Sequence, residues 1–483
     1  MKFMNRYKFI ITVLWTMLCC VGAAQAETLM PIVKISGTFS AEYSSATFSL
    51  ISADRQDTAT FTGQIKWRGS QVLYAPKKSY AVKLDENVSL LNMRQDDSWI
   101  LDGAASDISR CRNRVCTDLW NDFSYKNFIA EQYDYRSMNG TRGEFVLLYL
   151  NDTPQGIYCL TEKIDRKQLR LRKMKDGQVR GILYKAQTWN GTKFDNDYDR
   201  NYSDTSFRWN GWEAQYPNPS TEDSITDWAP LSDAMRWTNE ADTATFCGDF
   251  NQKFDERVWI DYFLFTNILF APDNQGKNMY LYVYDIACDS TLGVAPWDLD
   301  ATFGRKFNNA VMPYDTIFND RHYLAFRMLR SYYFKQKMAD RYFELRNGCF
   351  TADSLKARFS RYFNYFRESG AAAVEYAVWG QNHYNGVVLD TDFRTEEKYI
   401  YNWIDKRLPV LDTYYQKMRE GYVVYVVDVN GDGVLSMSDI TTLVGWLIDG
   451  QTHDLGDVNG DGNVTMADVT LLIKLLLRTS DNS

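Results

Sequence analysis

Histidine is almost missing from this chain: His322, His383 and His453 are the three in 483 residues, and they lie far apart. That scarcity excludes a His-built zinc centre and a His-dependent nucleophilic triad. A basic excess is missing too. Lys and Arg number 54 against 62 Asp and Glu, a formal charge of −8, so nonspecific nucleic-acid binding has no electrostatic basis. Long apolar runs are absent after the N-terminus. The one at the start, Phe9 to Val21, is short for a membrane span and runs into small residues rather than a basic stop. Lys2, Arg6 and Lys8 precede it and Ala24-Gln25-Ala26 follows, which predicts a signal peptide cleaved after Ala26. Leu18 and Cys19 stand before the two candidate lipoprotein cysteines, where a small residue is needed. The expectation is a secreted or cell-surface bacterial protein with no transmembrane segment after cleavage.

What is present is aromatic and acidic. The chain holds 32 Tyr, 27 Phe and 14 Trp, which argues for a packed globular protein and against disorder. Six cysteines survive cleavage: Cys111, Cys116, Cys159, Cys247, Cys288 and Cys349. Outside the cytoplasm they can pair, and buried free thiols are an equal alternative. Cys111 and Cys116 fall on different faces of an expected helix and should not pair with each other.

A repeat closes the sequence. Asp428, Asn430, Asp432, Ser436 and Asp439 are matched by Asp457, Asn459, Asp461, Thr465 and Asp468. They occupy positions 1, 3, 5, 9 and 12 of two 12-residue loops, with Gly at position 6. Val434 and Asn463 stand at position 7, which gives a backbone carbonyl. This is an oxygen ligand set for Ca²⁺, and its crowded carboxylates would repel one another without a cation. An apolar helical pattern follows each loop. Asp at position 12, with no clear entering helix, resembles a type I dockerin, an all-α calcium-binding module, from Val424 to about Arg478. The resemblance implies docking to a cohesin-like or other surface scaffold protein. Its contacts would include Met437-Ser438 and Met466-Ala467. The bland alternative is a calcium-stiffened cap.

The long segment before it reads as α+β. Strands are expected at Pro31–Ile35, Ala46–Ile51, Gln64–Trp67, Ser79–Leu84, Glu144–Leu150 and Gly156–Thr161. Helices are expected at Asp107–Phe123 and Phe254–Phe270, a hairpin at Met279–Asp285 with Gly293–Trp297, and mainly helix from Asp315 to Met418. The boundaries follow: signal peptide 1–26, large domain 27–420, calcium module 421–483.

Within the large domain an ordered set of segments carries a second resemblance. It comprises Trp67-Arg68-Gly69-Ser70, Pro76-Lys77-Lys78, Cys111-Arg112-Asn113-Arg114, Tyr149 to Ile164, and Pro296-Trp297-Asp298-Leu299-Asp300 to Gly304. Together these resemble the spore-coat protein H (CotH) kinase family from about Pro31 to about Met418. The resemblance implies an atypical two-lobed kinase-like fold, β-rich in front and helical behind, and ATP-dependent phosphorylation of protein serine.

The residues support that chemistry independently. Asp273 and Asn278 have the D-x-x-x-x-N spacing of a kinase catalytic loop, where Asp accepts the hydroxyl proton and Asn holds a metal. The hairpin is followed by Asp298 and Asp300, as the kinase hairpin is followed by its metal-binding Asp. Phosphoryl transfer needs carboxylates for Mg²⁺ and cations for the ATP phosphates. Lys83 on its strand is the expected cation. Arg68 and Ser70 are expected to cover the phosphates in place of a Gly-rich loop, which the chain lacks. Gln71 stands where the family has a second Ser, and Asp118 where it has Glu, so Glu162 is the other candidate partner for Lys83.

Three function classes remain. The acidic set favours a secreted kinase acting on protein serine or threonine. The scarcity of ATP outside cells favours a non-catalytic binding or adhesion protein on the same fold. The dockerin-like end and the aromatics suggest a carbohydrate or polysaccharide context. No carboxylate pair can be singled out as a glycosidase acid and base.

Overall fold

A computed structural model of the chain describes residues 29–69, 74–134, 136, 138–189, 191–195, 198–221, 225–317, 322–420, 429–430, 436–451, 453–458 and 463–480. The expected signal peptide lies outside these residues.

The first part builds β1 (Ile32–Gly37), β2 (Ser44–Ile51), β3 (Thr58–Arg68), β4 (Ser79–Ser89), β5 (Gln95–Asp102), β6 (Gly143–Leu150) and β7 (Thr153–Glu162). They close into a barrel in the order β1-β2-β3-β4-β5-β7-β6. Closure comes from a parallel pairing of β1 with β6, Ile32 opposite Leu147. Period-2 alternation aims Val33, Ile35, Phe48, Ile65, Val82, Trp99, Leu148 and Leu160 into one interior cluster. On β6 and β7 the outer face is apolar as well. Phe145, Leu147, Ile157 and Cys159 join the main core, and the Phe145 ring meets Tyr362 and Phe366 at 5.0 and 4.8 Å. Helix Ala352–Glu368 therefore covers the barrel on that side.

A second sheet, β12-β11-β8-β10-β9, follows. Its strands are β8 (Ile182–Ala186), β9 (Arg208–Trp209), β10 (Trp212–Tyr216), β11 (Met279–Val283) and β12 (Gly293–Pro296). The sequence predicts the β11–β12 hairpin but not β8 to β10, which are short. Asn210 and Gly211, both at positive φ, make the tight β9–β10 turn.

Helix Glu256–Leu269 is the axis of the core. Every residue except Arg257 is buried. Asp255 caps its start by accepting the Val258 N–H, and Phe270 in the left-handed region ends it ahead of Pro272. Helices Tyr323–Arg330, Tyr332–Arg346, Ala352–Glu368, Ala371–Trp379 and Arg394–Arg419 pack around this axis, as expected from the helical back. The fold is thus mixed α+β with a β-rich first part.

Two expectations shift. The helix expected from Asp107 begins at Arg112, because the Asp107 carboxylate is engaged by the N–H groups of Ser109 (2.9 Å) and Arg112 (2.8 Å) in a turn. The seven-stranded closure was not expected at all.

At the C-terminus, helices Met437–Ile448 and Met466–Ser480 pack through Ile440, Leu443, Val469 and Leu472. The six cysteines from Cys111 to Cys349 are free thiols. Among the described residues no helix is long and apolar enough to cross a membrane.

Candidate active site

The buried axis helix delivers its C-terminal end to a short 3₁₀ turn, Pro272–Gln275. Asn274 is buried there. Its amide donates to the carbonyls of Asn278 (2.9 Å) and Trp297 (2.8 Å), which ties the turn to the hairpin. Gln275 anchors the turn below through Thr266 Oγ1 at 3.1 Å. Gly276 passes so close to Trp189 that a Cβ would lie 2.0 Å from its ring.

The hairpin then sets the register. Met279 pairs with Pro296, and the Trp297 N–H donates to the Asn278 carbonyl at 2.9 Å. Asn278 and Trp297 are therefore neighbours, and Asp298 follows at once. Asn278 and Asp298 both lie in the left-handed region, with φ of 56° and 59°. Asn and Asp tolerate that conformation better than other residues with a Cβ, and such strain concentrates at functional sites.

Asn113 on helix Arg112–Phe123 crosses to this segment. Its Oδ1 accepts the Leu299 N–H and its Nδ2 donates to Asp102, both at 3.2 Å. Arg112 is fully buried below. It donates to Asp107 (2.7 Å), to Glu396 (2.5 Å) and to the Thr302 carbonyl (3.0 Å). These two residues tie the segment to the helical core at Leu299, between the two aspartates, and at Thr302, just past them.

The result is a crowd of carboxylates. Asp298 and Asp300 make no side-chain hydrogen bond or ion pair among the described residues. Water reaches one side of Asp298. Burial of the rest pushes its carboxyl up, Asp102 adds to this, and Arg68, Lys185 and Lys277 oppose it. Asp300 is raised well above the usual range by burial, then by Asp298, Asp107, Asp102 and Asp273. Asp273 itself is half-buried and pairs with Lys277 at 3.4 Å. Arg68 reaches in from the end of β3, its guanidinium 5.2 Å from the Trp297 ring centre.

Asp273, Asn278, Asp298, Asp300 and Arg68 are thus brought into one neighbourhood. Lys83 is not part of it by any described contact: it is solvent-exposed on β4, opposite Gln64 and Ser98. Glu162 is buried elsewhere, accepting the N–H groups of Arg94 (3.2 Å) and Arg142 (2.9 Å). Asp118 binds Arg114 at 2.8 Å and the Tyr362 hydroxyl. Ser70 and Gln71 lie outside the described residues. Sequence reasoning missed Lys185, Asp102 and the bridging role of Asn113. Of these, Asn113 alone lay in a segment already singled out.

Of the calcium loops, Asp428, Asp432, Val434, Asn459 and Asp461 lie outside the described residues. Asp439 and Asp468, at position 12, are fully buried. Asp439 accepts the N–H groups of Val429 (2.7 Å), Asn430 (3.1 Å) and Ser436 (2.7 Å). Asp468 repeats the last contact with Thr465 at 2.8 Å. Asp457 and Asn463 of the second loop are among the described residues. Among the described residues no three His, Cys, Asp or Glu groups are gathered tightly enough to cage a metal alone.

The family model for CotH kinase protein matches residues 65–411. The chain belongs to the CotH kinase protein family. Every residue of the carboxylate crowd falls inside that match. The model for the dockerin type I domain matches residues 455–483, which holds the second of the two repeats. The inner spore coat protein H of Bacillus subtilis (strain 168) is 23% identical over 253 residues. That stretch covers 52% of this chain and 62% of the relative, so the chain spans less than two thirds of the relative's length.

Proposed function

We propose that the chain is an exported protein kinase of atypical, two-lobed fold. On this reading it moves the terminal phosphoryl group of ATP to a protein serine or threonine hydroxyl. Residues 27–420 would form the kinase domain and 421–483 the all-α dockerin module. The single observation that carries the reading is the pair Asp298 and Asp300, unpaired and crowded beside Asp273 and Asn278.

That pair fits Mg²⁺. The two carboxylates crowd together with no ion pair among the described residues, and Mg²⁺ is held by one or two carboxylates plus substrate phosphates rather than by a protein cage. Asp298, Asp300 and Asn278 would hold it, and it would neutralise charge on the phosphates. Asp273 accepts the proton of the attacking hydroxyl. The hydroxyl oxygen bonds to the terminal phosphorus, the bond from that phosphorus to the bridging oxygen breaks, and ADP leaves. Lys277 orients Asp273. Arg68, stacked on Trp297, adds positive charge on the phosphate side.

The C-terminal repeats supply hard oxygen donors for Ca²⁺. The two buried position-12 carboxylates brace the loops from behind, which suits a module that folds around its ion. A dockerin implies a cohesin-like scaffold partner, and hence placement at or outside the cell surface. Export rests on the expected signal peptide.

Calorimetry of Mg²⁺-ATP on the full chain tests the reading. The wild type should bind, and Asp298→Asn should weaken binding at least tenfold while the protein stays folded. A folded wild type that binds no Mg²⁺-ATP would leave a non-catalytic surface-binding protein on the same fold.

A further inference from the structure

Lys185 has no structural explanation in the fold. It sits in β8 between Glu213 of β10 and Tyr280 of β11, opposite each in register. The residue is half-buried. Among the described residues its ammonium makes no hydrogen bond and no ion pair. Glu213 acts on it only at a distance, its carboxylate being engaged by Arg208 (2.6 Å), Gln187 (2.5 Å) and Gln215 (3.3 Å). A half-buried cation without a direct ion pair is costly.

The surroundings say what is missing. Strand register puts Lys185, Tyr280 and Ala295 side by side on one face of the second sheet. Trp297, two residues past Ala295, continues that face. The Tyr280 and Trp297 rings meet edge to face at 5.8 Å, and Arg68 lies over Trp297. Two cations, one from the barrel and one from the second sheet, thus flank an aromatic platform beside the unpaired Asp298. Burial and then Arg68 lower the Lys185 pKa, while Glu213 and Asp298 raise it. Lys185 and Arg68 on one side and Asp298 and Asp300 on the other influence one another through space but form no direct ion pair among the described residues. A metal-bound polyphosphate offers an anion to the first pair and a cation to the second.

We propose that Lys185, together with Arg68, binds the phosphates of the nucleoside triphosphate, and that Lys83 has no part in it. The assignment rests on the nucleotide reading above and adds a residue to it. An ammonium–phosphate contact is a charge-assisted hydrogen bond, and its loss weakens binding by about 10- to 100-fold.

The test is calorimetry on the full chain with Mg²⁺-ATP, Mg²⁺-ADP and adenosine. Variants Lys185→Met, Lys185→Arg and Lys83→Met are compared with wild type. Lys185→Met should lose about 10- to 100-fold for ATP and ADP and change adenosine less than about twofold. Lys185→Arg should recover most of the loss, and Lys83→Met should change nothing. The thermal midpoint of Lys185→Met should hold or rise, which separates lost binding from lost folding. Equal weakening of ATP and adenosine makes Lys185 a structural residue and overturns the assignment. So does a loss carried by Lys83→Met, while leaving nucleotide binding intact. A wild type that binds none of the three removes the nucleotide reading and this proposal together.

Discussion

Replacing His322 by Phe should make the large domain more stable, and increasingly so in acid. The His322 ring is fully buried, packed at 4.9 Å from Phe194, 5.6 Å from Phe263 and 5.7 Å from Trp259. Neither ring nitrogen has a hydrogen-bond partner among the described residues. Burial, with a smaller push from Lys193, lowers its pKa from 6.5 to about 3. The unfolded ring takes up a proton below pH 6.5, whereas the folded ring resists until about 3. Stability is therefore lost as pH falls from 6.5 to about 3, and no further below that. The gap of about 3.5 pH units corresponds to roughly 5 kcal/mol at its full extent. At pH 7 the ring is neutral in both states, and the variant gains only from removing unsatisfied nitrogens, about 1–3 kcal/mol. Phe retains the ring, and His322 offers no side-chain cap to the helix it precedes, so nothing is lost there. Urea unfolding followed by tryptophan fluorescence at pH 7, 6, 5 and 4 reads both effects. The two stability curves should diverge by about 1.4 kcal/mol per pH unit in the middle of that range. Parallel curves, or a variant less stable at every pH, would refute the reasoning.

Asp300→Asn should raise the unfolding midpoint, because it removes a half-buried carboxylate crowded by Asp298, Asp107 and Asp102. A gain of about 0.5–2 kcal/mol is expected, with loss of phosphotransfer, as residues kept for function at a cost in stability behave. Glu375→Ala should destabilise by about 3–5 kcal/mol in denaturant titration. Its buried carboxylate holds Lys77 (2.7 Å), Arg110 (2.7 Å) and the Ile157 N–H (2.7 Å), and both cations would be stranded. Chelating Ca²⁺ should open the segment from about Asp428 onward to protease and leave the large domain resistant, since the ligands come from that segment alone. Unchanged proteolysis in chelator would count against a metal-dependent fold.

Much of the site was legible because its parts are local. Asp273 and Asn278 share one turn, Asp298 and Asp300 one hairpin exit, and spacing alone suggests their chemistry. The barrel strands were legible one by one from alternation, but closure was not. It depends on β1 meeting β6, and nothing in either strand names the other. Lys185 was invisible for the same reason. In Ile182-Leu-Tyr-Lys-Ala it is one lysine in a short apolar strand, and only the β8–β11 register carries it toward Trp297 and Asp298. Lys83 read better from sequence, because its strand follows a Pro-Lys-Lys turn within the resembling set, yet pleating turns it to solvent. Glu162 and Asp118 were plausible lysine partners by type. The fold gives them backbone amides in one case and Arg114 with Tyr362 in the other.

The most direct measurement is phosphotransfer itself. The purified full chain is incubated with γ-labelled ATP, Mg²⁺ and a serine-rich protein acceptor, beside Asp298→Asn. Asn keeps the left-handed backbone at this position and removes the charge. Acid-stable label on serine or threonine is expected with the wild type, and a fall of at least about 100-fold with the variant at unchanged fold. Equal labelling by the two proteins, or none by a folded wild type that binds the nucleotide, would contradict the kinase reading.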